Sequence, residues 1–211
     1  MPLLHWSPRS PYVRKVMVAL HEKGLADGIR TVRTYADPMI PHEGLMRLNP
    51  LSKIPTLELD DGRVLFDSHV ICRWADEQSE AGPRLFPQGP GRLEAERDEA
   101  LGNGLLDVAL AWLIETRMRP DAQRSAELVS VYRTKLVRTA DWLEAHVPDL
   151  EQRPFDIGHL TIGVALAYLD FRFASEAWRD GRPALTRWHA TFSARTSVPP
   201  TSFRDDPRPA G

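Results

Sequence analysis

The chain has 211 residues, 42% apolar and 27% charged, with a formal net charge of -2. This composition is typical of a soluble globular protein of one large or two small domains, and it gives no electrostatic basis for binding nucleic acid or an acidic membrane surface. The single cysteine, Cys72, excludes an intramolecular disulfide. Because there is also no membrane-spanning apolar run and no signal-peptide pattern at the N-terminus, a cytoplasmic location is expected.

Residues 1–80 alternate between strand and helix patterns. Ser10-Pro11 is a typical helix start, with serine as the N-cap and proline in the first turn, and Gly24 ends the apolar repeat that follows. The predicted elements are, in chain order, a strand at residues 3–6, a helix at 12–23, a strand at 29–35, a helical turn at 43–48, strands at 56–59 and 64–66, and a helix at 68–78. This β-α-β-α-β-β-α order indicates a small mixed sheet with helices on its faces.

The rest of the chain is predicted to be helical. Residues 81–92 contain three prolines and three glycines without any periodicity, which is typical of a linker. Residues 156–173 are apolar nearly all round, and this predicts a central buried helix. From Pro199 onward, the proline-rich sequence predicts an extended or mobile tail.

Two neighbouring segments of the first half suggest a ligand site. Pro55 stands immediately before an apolar strand, where a fixed cis peptide bond would turn the backbone of Ile54 outward to pair with a peptide as an added strand does. Asp67-Ser68 stands at a helix start, where backbone N–H groups and a hydroxyl can hold a carboxylate. A peptide clamp beside an anion clamp predicts a small anionic peptide as ligand.

These residues resemble those of the cytosolic glutathione S-transferases, most closely the bacterial serine-type members. The resemblance covers nearly the whole chain, and the segments that carry it are residues 10–15 (SPYVRK), 49–55 (NPLSKIP), 67–68 with 70–71, and 165–171 (ALAYLDF). It implies a thioredoxin-like, glutathione-binding domain at residues 1–80, a linker at 81–92, and an all-helical domain at 93–211 that forms the acceptor-substrate pocket.

By this resemblance, Ser10 is the catalytic residue, and its hydroxyl donates a hydrogen bond to the glutathione thiolate. The alternative is that Ser10 serves only as the helix N-cap. Capping and donation to a thiolate are nevertheless compatible, because a hydroxyl has one donor and two acceptor sites. Ser7-Pro8 repeats the same dipeptide, so Ser7 stays open as the activating serine. Ser10 is preferred because Ser-Pro-Tyr-Val-Arg matches the family pattern.

The resemblance also implies a glutathione-binding set. Ile54, preceding the cis Pro55, would pair with the cysteinyl backbone, and Lys53 would approach the glycyl carboxylate. Ser68 would hold the γ-glutamyl carboxylate, and Asp67 the γ-glutamyl amino group, although Asp67 is shorter than the Glu or Gln of many relatives. The acceptor-pocket candidates are Arg9, Tyr12, Leu106 and Leu110, and Asn103 is the candidate for a contact across a dimer.

The expected function is therefore conjugation of glutathione, as co-substrate, to a small electrophile by a homodimer without metal. Two other functions stay open: a different glutathione-dependent enzyme on the same fold (a dehalogenase, isomerase, peroxidase or lyase), and a non-enzymatic scaffold such as a stringent-starvation-type regulator. The joint presence of Ser10, Pro55 and Ser68 argues against the scaffold.

In the second half, His159 stands where the family has the returning carboxylate of a capping box on Asp156. This substitution predicts a weakened helix start.

Overall fold

A computed structural model describes residues 1–206 and divides the chain into two units. The first unit contains Met1–Phe86 together with residues 196–206, and the second is Pro87–Arg195. The strands are β1 Leu3–Trp6, β2 Arg30–Arg33, β3 Thr56–Glu58 and β4 Val64–Leu65. The helices are α1 Pro11–Glu22, α2 Glu43–Met46, α3 Ser68–Gln78, α4 Arg92–Leu113, α5 Ala126–Glu151, α6 Ile157–Arg172 and α7 Pro183–Ser193. The predicted order of strands and helices is thus confirmed.

The first unit is built around one four-stranded sheet with the order β2-β1-β3-β4. β1 runs parallel to β2 and antiparallel to β3, and β3 forms a hairpin with β4. Gly62 lies in that hairpin with a φ of 86°, a left-handed conformation that favours glycine. Leu4 and Leu57 are paired across β1 and β3, and both are fully buried beneath the helices. The sheet therefore supplies a rigid platform on which the loops at its edge are fixed.

Helix α1 begins and ends as its sequence predicts. The Ser10 hydroxyl accepts a hydrogen bond from the N–H of Val13 at 3.3 Å, and Gly24 follows the helix with a φ of 64°. Its apolar face, including Val16 and Leu20, is completely buried, and the helix packs against α3. The strand–loop–helix connection from Trp6 to Ser10 is consequently fixed at both ends.

The second unit is helical, and its centre is α6, which is buried over nearly its whole length as predicted. α4 lies close against it at two glycines. A Cβ on Gly158 would lie 2.6 Å from the Cβ of Asp98, and one on Gly102 would lie 2.9 Å from the backbone N of Ile162. Only glycine therefore allows the two helices to approach this closely.

The predicted weakness at the start of α6 is wrong. The N–H of His159 donates to Oδ1 of Asp156 at 3.1 Å, and the N–H of Asp156 lies 3.2 Å from Nδ1 of His159, so the reciprocal contacts of a capping box are complete. The other ring nitrogen, Nε2, lies 2.8 Å from the carbonyl oxygen of Leu150 in the preceding helix. The imidazole thus makes the returning contact of a carboxylate and also joins α6 to α5.

The C-terminal segment also differs from its prediction. Pro199–Thr201 form a short 3-10 helix, and residues 199–206 belong to the first unit and not to the helical unit to which they were assigned. The N–H of Arg204 donates to the carbonyl oxygen of Pro8 at 3.2 Å, and Arg33 donates two hydrogen bonds, at 2.6 and 3.0 Å, to Asp206. The rest of the predicted tail, residues 207–211, lies outside the described residues. Within the described part, no helix is both long and apolar enough to cross a membrane.

Candidate functional site

Ser10 lies at the N-terminus of α1, directly after the loop that leaves β1. The rival, Ser7, is 7% exposed and serves this loop, because its hydroxyl accepts from the N–H of Arg9 and its carbonyl from the N–H of Ser10, both at 3.3 Å. The Ser10 hydroxyl accepts one hydrogen bond from Val13, so its own proton is free to be donated to a ligand. The helix N-terminus adds positive potential at the same place. This geometry favours Ser10 over Ser7 as a partner for an anion.

The Ile54–Pro55 peptide bond is cis, as the sequence predicts. A buried side chain, Asn49, holds the loop before it: its Nδ2 donates to the Lys53 carbonyl and to the Thr56 hydroxyl, each at 3.1 Å. Within residues 1–206, the backbone N–H and C=O of Ile54 have no hydrogen-bond partner in the chain. They are therefore available to a ligand that lies alongside as an added strand. Sequence patterns assign no role to Asn49, because its partners become apparent only when the loop is closed.

Asp67 and Ser68 begin α3. Oδ1 of Asp67 accepts from the N–H of His69 at 3.0 Å, which makes Asp67 the N-cap, and the Phe66–Asp67 peptide bond is also cis. Ser68 is the first helical residue and is 3% exposed. The N-terminal N–H groups of α3 favour a negative ligand group here, and the carboxylate site at this place stays a prediction. The second carboxylate oxygen of Asp67 stays available to a cationic group of the ligand.

The other predicted site residues differ in what they can contact. Lys53 is exposed, whereas Tyr12 is half-buried on α1. Nε of Arg9 lies 3.2 Å from the Asp205 carboxylate, an ion pair with the C-terminal segment. On α4, Leu106 is fully buried, whereas Leu110 and Asn103 are half-buried.

Among the described residues, no three His, Cys, Asp or Glu side chains form a group that could hold a metal ion. Cys72 is fully buried and outside this set.

Two family models match the chain. The first, described as glutathione S-transferase, N-terminal domain, matches residues 9–78, and the second, described as glutathione S-transferase, C-terminal domain, matches residues 120–191. Together they cover more than half of the chain. The first matched segment contains Ser10, the cis-proline loop and the start of α3.

Individual proteins are similar over nearly the full length. A glutathione transferase family member from Pseudomonas fluorescens Pf-5, solved with bound glutathione, is 35% identical with a TM-score of 0.92, and the match covers 97% of this chain and 100% of that one. The uncharacterized GST-like protein YibF of Escherichia coli K12 is 32% identical over 192 residues, 89% of this chain and 92% of YibF. A stringent starvation protein A homolog of Pasteurella multocida is 39% identical over 79 residues, which is 37% of this chain and 34% of that protein.

Proposed function

The chain belongs to the glutathione S-transferase family, and we propose that it binds glutathione as the thiolate and conjugates it, through its sulfur, to a small electrophile. The observation that carries the proposal is that one unit contains three features that suit a small anionic peptide, at Ser10, Ile54-Pro55 and Asp67-Ser68. These are a free hydroxyl proton at a helix start, an unpaired backbone segment beside a cis proline, and a second helix start. The glutathione bound to the Pseudomonas relative supports the same ligand here.

The chemical contribution of Ser10 is to stabilise an anion. A free thiol with a pKa of about 8.5 is mostly protonated at neutral pH, and only the thiolate is a strong nucleophile. Holding the pKa about two units lower requires roughly 2.7 kcal/mol of preference for the charged form. A charge-assisted hydrogen bond from the Ser10 hydroxyl, together with the α1 dipole, is of this size. Ser10 therefore acts by electrostatic stabilisation, and no residue needs to remove the thiol proton as a general base.

The remaining residues position the tripeptide. We assign the backbone of Ile54 to the cysteinyl unit, Lys53 to the glycyl carboxylate, Ser68 to the γ-glutamyl carboxylate and Asp67 to the γ-glutamyl amino group. Because the loop is closed by Asn49 and α3 is capped by Asp67, these groups are held before the ligand arrives. Such preorganisation fixes the sulfur near Ser10 and lowers the entropy cost of reaction. The candidate contacts of the electrophile are still Arg9, Tyr12 and Leu110.

A scaffold function is the second candidate, because the Pasteurella stringent starvation protein A homolog is similar over part of the chain. A scaffold has no need of a proton donor, a free peptide edge and an anion site in one unit. Glutathione binding consequently separates the two candidates. Among glutathione-dependent enzymes, a panel of electrophiles, organic halides and peroxides separates conjugation from dehalogenation and peroxide reduction.

The test is a pH titration of the ultraviolet thiolate absorbance of glutathione mixed with the pure protein. We expect a thiolate band that persists well below the pKa of free glutathione, because Ser10 and the α1 N-terminus favour the anion. S-methylglutathione, which has no thiol to ionise, is the matched blank. Binding by calorimetry without the band would contradict thiolate activation, and the absence of both would contradict the proposed enzyme and favour the scaffold.

A homodimer is proposed as the assembly, and an open groove between α4 and α5 supports it. The groove, of about 350 Å³, is lined by apolar side chains that include Leu101, Leu105 and Val108, with Lys135 and Arg138 also along it. Leu101 and Val108 are both half-exposed on α4. An apolar groove of this kind is typical of an interaction surface.

Size-exclusion chromatography with light scattering should give the mass of two chains at micromolar concentration. Leu101→Glu should shift the mass toward one chain, because it places a charge in the apolar groove. Glu94→Gln, a neutralisation elsewhere on α4, is the control that should leave the mass unchanged. A wild-type mass of one chain would contradict the dimer.

A further inference from the structure

A cavity with a cationic lining lies within the first unit. It has a volume of about 130 Å³ and is bounded by β1, the loop before α1, α1, β2 and the C-terminal segment. The charged and hydroxyl-bearing residues that line it are Arg14, Arg204, Ser7, Thr31, Thr201 and Ser202. The hydroxyls of Thr201 and Ser202 already donate to the carbonyl oxygens of Val198 and Pro199, each at 2.8 Å. Among residues 1–206, no carboxylate lines it. None of the residues assigned to glutathione lines it either.

Arg14 is a buried cation without an acidic partner. Its side chain belongs to a residue only 8% exposed, and in the described part of the chain no carboxylate forms an ion pair with it. Its Nε donates to the Thr201 hydroxyl at 3.3 Å, and its guanidinium lies 4.4 Å from the centre of the Phe203 ring. Burial lowers the pKa of Arg14 to about 10. A guanidinium has five N–H donors, so these two contacts leave most of its capacity unused.

The acidic residues nearest along the C-terminal segment are engaged with other arginines. Asp206 accepts two hydrogen bonds from Arg33, and Asp205 lies 3.2 Å from Nε of Arg9. The pairing of Asp206 with Arg33 lowers the pKa of Asp206, so this carboxylate is fully charged near neutral pH. The positive charge of Arg14 is therefore not balanced by these acids, whereas buried charges in folded proteins are normally paired.

We propose that this cavity is a binding site for a small tetrahedral oxyanion, phosphate or sulfate, held by the guanidinium groups of Arg14 and Arg204 with the Ser7 and Thr31 hydroxyls. The volume of about 130 Å³ is the scale of such a small ion and not of a peptide. Planar guanidinium groups bind tetrahedral oxyanions by two parallel hydrogen bonds. Arg204 belongs to the C-terminal segment, and Ser7 to the loop before α1. The bound ion would therefore join this segment to the loop that leads to Ser10.

The test is binding of inorganic phosphate to the whole protein without glutathione, at ionic strength held constant with sodium chloride. Phosphorus NMR line broadening reports binding, and the thermal unfolding midpoint reports its effect on the fold. We expect a saturable rise of the midpoint, competition by sulfate and at least tenfold weaker competition by acetate. Arg14→Gln should weaken phosphate binding at least tenfold. Arg187→Gln, the same change at an exposed arginine of α7, should leave it unchanged.

A second variant distinguishes loss of the anion site from loss of folding. Thr201→Val keeps the shape and the Arg14 charge but removes the oxygen that accepts from Nε of Arg14 and orients its guanidinium, and it should weaken phosphate binding several-fold. Binding that survives Arg14→Gln but is lost in Lys53→Gln would place the ion at the glutathione site and overturn the proposal. The absence of saturable binding, or acetate binding as tight as phosphate, would overturn it as well. Because glutathione is absent throughout, none of these outcomes depends on the proposed transferase activity.

Discussion

Replacing Ser10 with alanine is expected to raise the pKa of bound glutathione back toward that of a free thiol, about 8.5. A hydrogen bond to a charged group contributes about 1.5–3 kcal/mol, so the rate of conjugation at neutral pH should fall roughly 10- to 100-fold. The sign follows from the proton donor: Ser10 favours the thiolate, and its loss moves the pH at which the thiolate forms upward. The thiolate titration gives the pKa of the bound thiol directly. The pH dependence of kcat/KM for the electrophile, at saturating glutathione, gives the same pKa independently.

Two variants separate this effect from helix capping. Ser10 also accepts from Val13, so alanine should cost about 1 kcal/mol of stability through the lost cap. Ser10→Thr keeps a hydroxyl that can cap and donate, and it should retain most of the activity. Ser7→Ala removes the hydroxyl that accepts from Arg9 and should leave the thiol pKa unchanged. If the pKa of the bound thiol stayed low in Ser10→Ala and rose in Ser7→Ala, the assignment would be reversed.

Replacing Asp76 with alanine is expected to be the most destabilising of the changes considered. Asp76 and Lys23 are each 2% exposed, and Nζ of Lys23 lies 3.0 Å from Oδ1 of Asp76. The N–H groups of Leu85 and Phe86 donate to the same carboxylate at 3.0 Å each. The variant would leave a buried ammonium without an anion, and breaking such a pair costs about 3–5 kcal/mol. Urea unfolding monitored by circular dichroism measures the loss.

The matched control is Asp61→Ala, the same change in the exposed β3–β4 hairpin, where Asp61 pairs with Arg63. That variant should unfold close to the wild-type urea midpoint. Adding Lys23→Met to Asp76→Ala should recover part of the stability, because it removes the uncompensated charge. An Asp76→Ala variant within about 1 kcal/mol of wild type would show that the pair does not hold the segment after α3.

Local signals explain why the first unit was predictable from sequence. The cap at Ser10, the glycine at position 24 and the Asp-Gly turn of the hairpin each act through neighbours within a few residues. The cis peptide bond at Pro55 and the helix start at Ser68 were expected in the same way, and the structure has both. The candidate ligand groups were predicted from the same segments, since the residues proposed to bind glutathione lie on the capped and hairpin-bounded elements.

Interactions between distant residues were not predictable in this way. Asp76 resembles an ordinary polar residue on an amphipathic helix, and only the folded chain brings Lys23 and the segment after α3 to it. Arg14 and Lys15 resemble a solvated pair on α1, yet they are 8% and 0% exposed. For Arg14 the reason is the C-terminal segment, which packs across α1 at Thr201 and Phe203.

Local sequence patterns specify the order of elements, the helix caps, the turns and the residue types that suit a glutathione thiolate. These depend on backbone conformation and on hydrogen bonds over three or four residues, which each short segment specifies independently. Packing of the folded chain, by contrast, sets the contact of His159 with Leu150 of α5 and returns residues 199–206 to the first unit. It also places Arg14 in the lining of a cavity. The physical reason is that burial and charge pairing depend on which distant side chains share one space, and no local pattern encodes that.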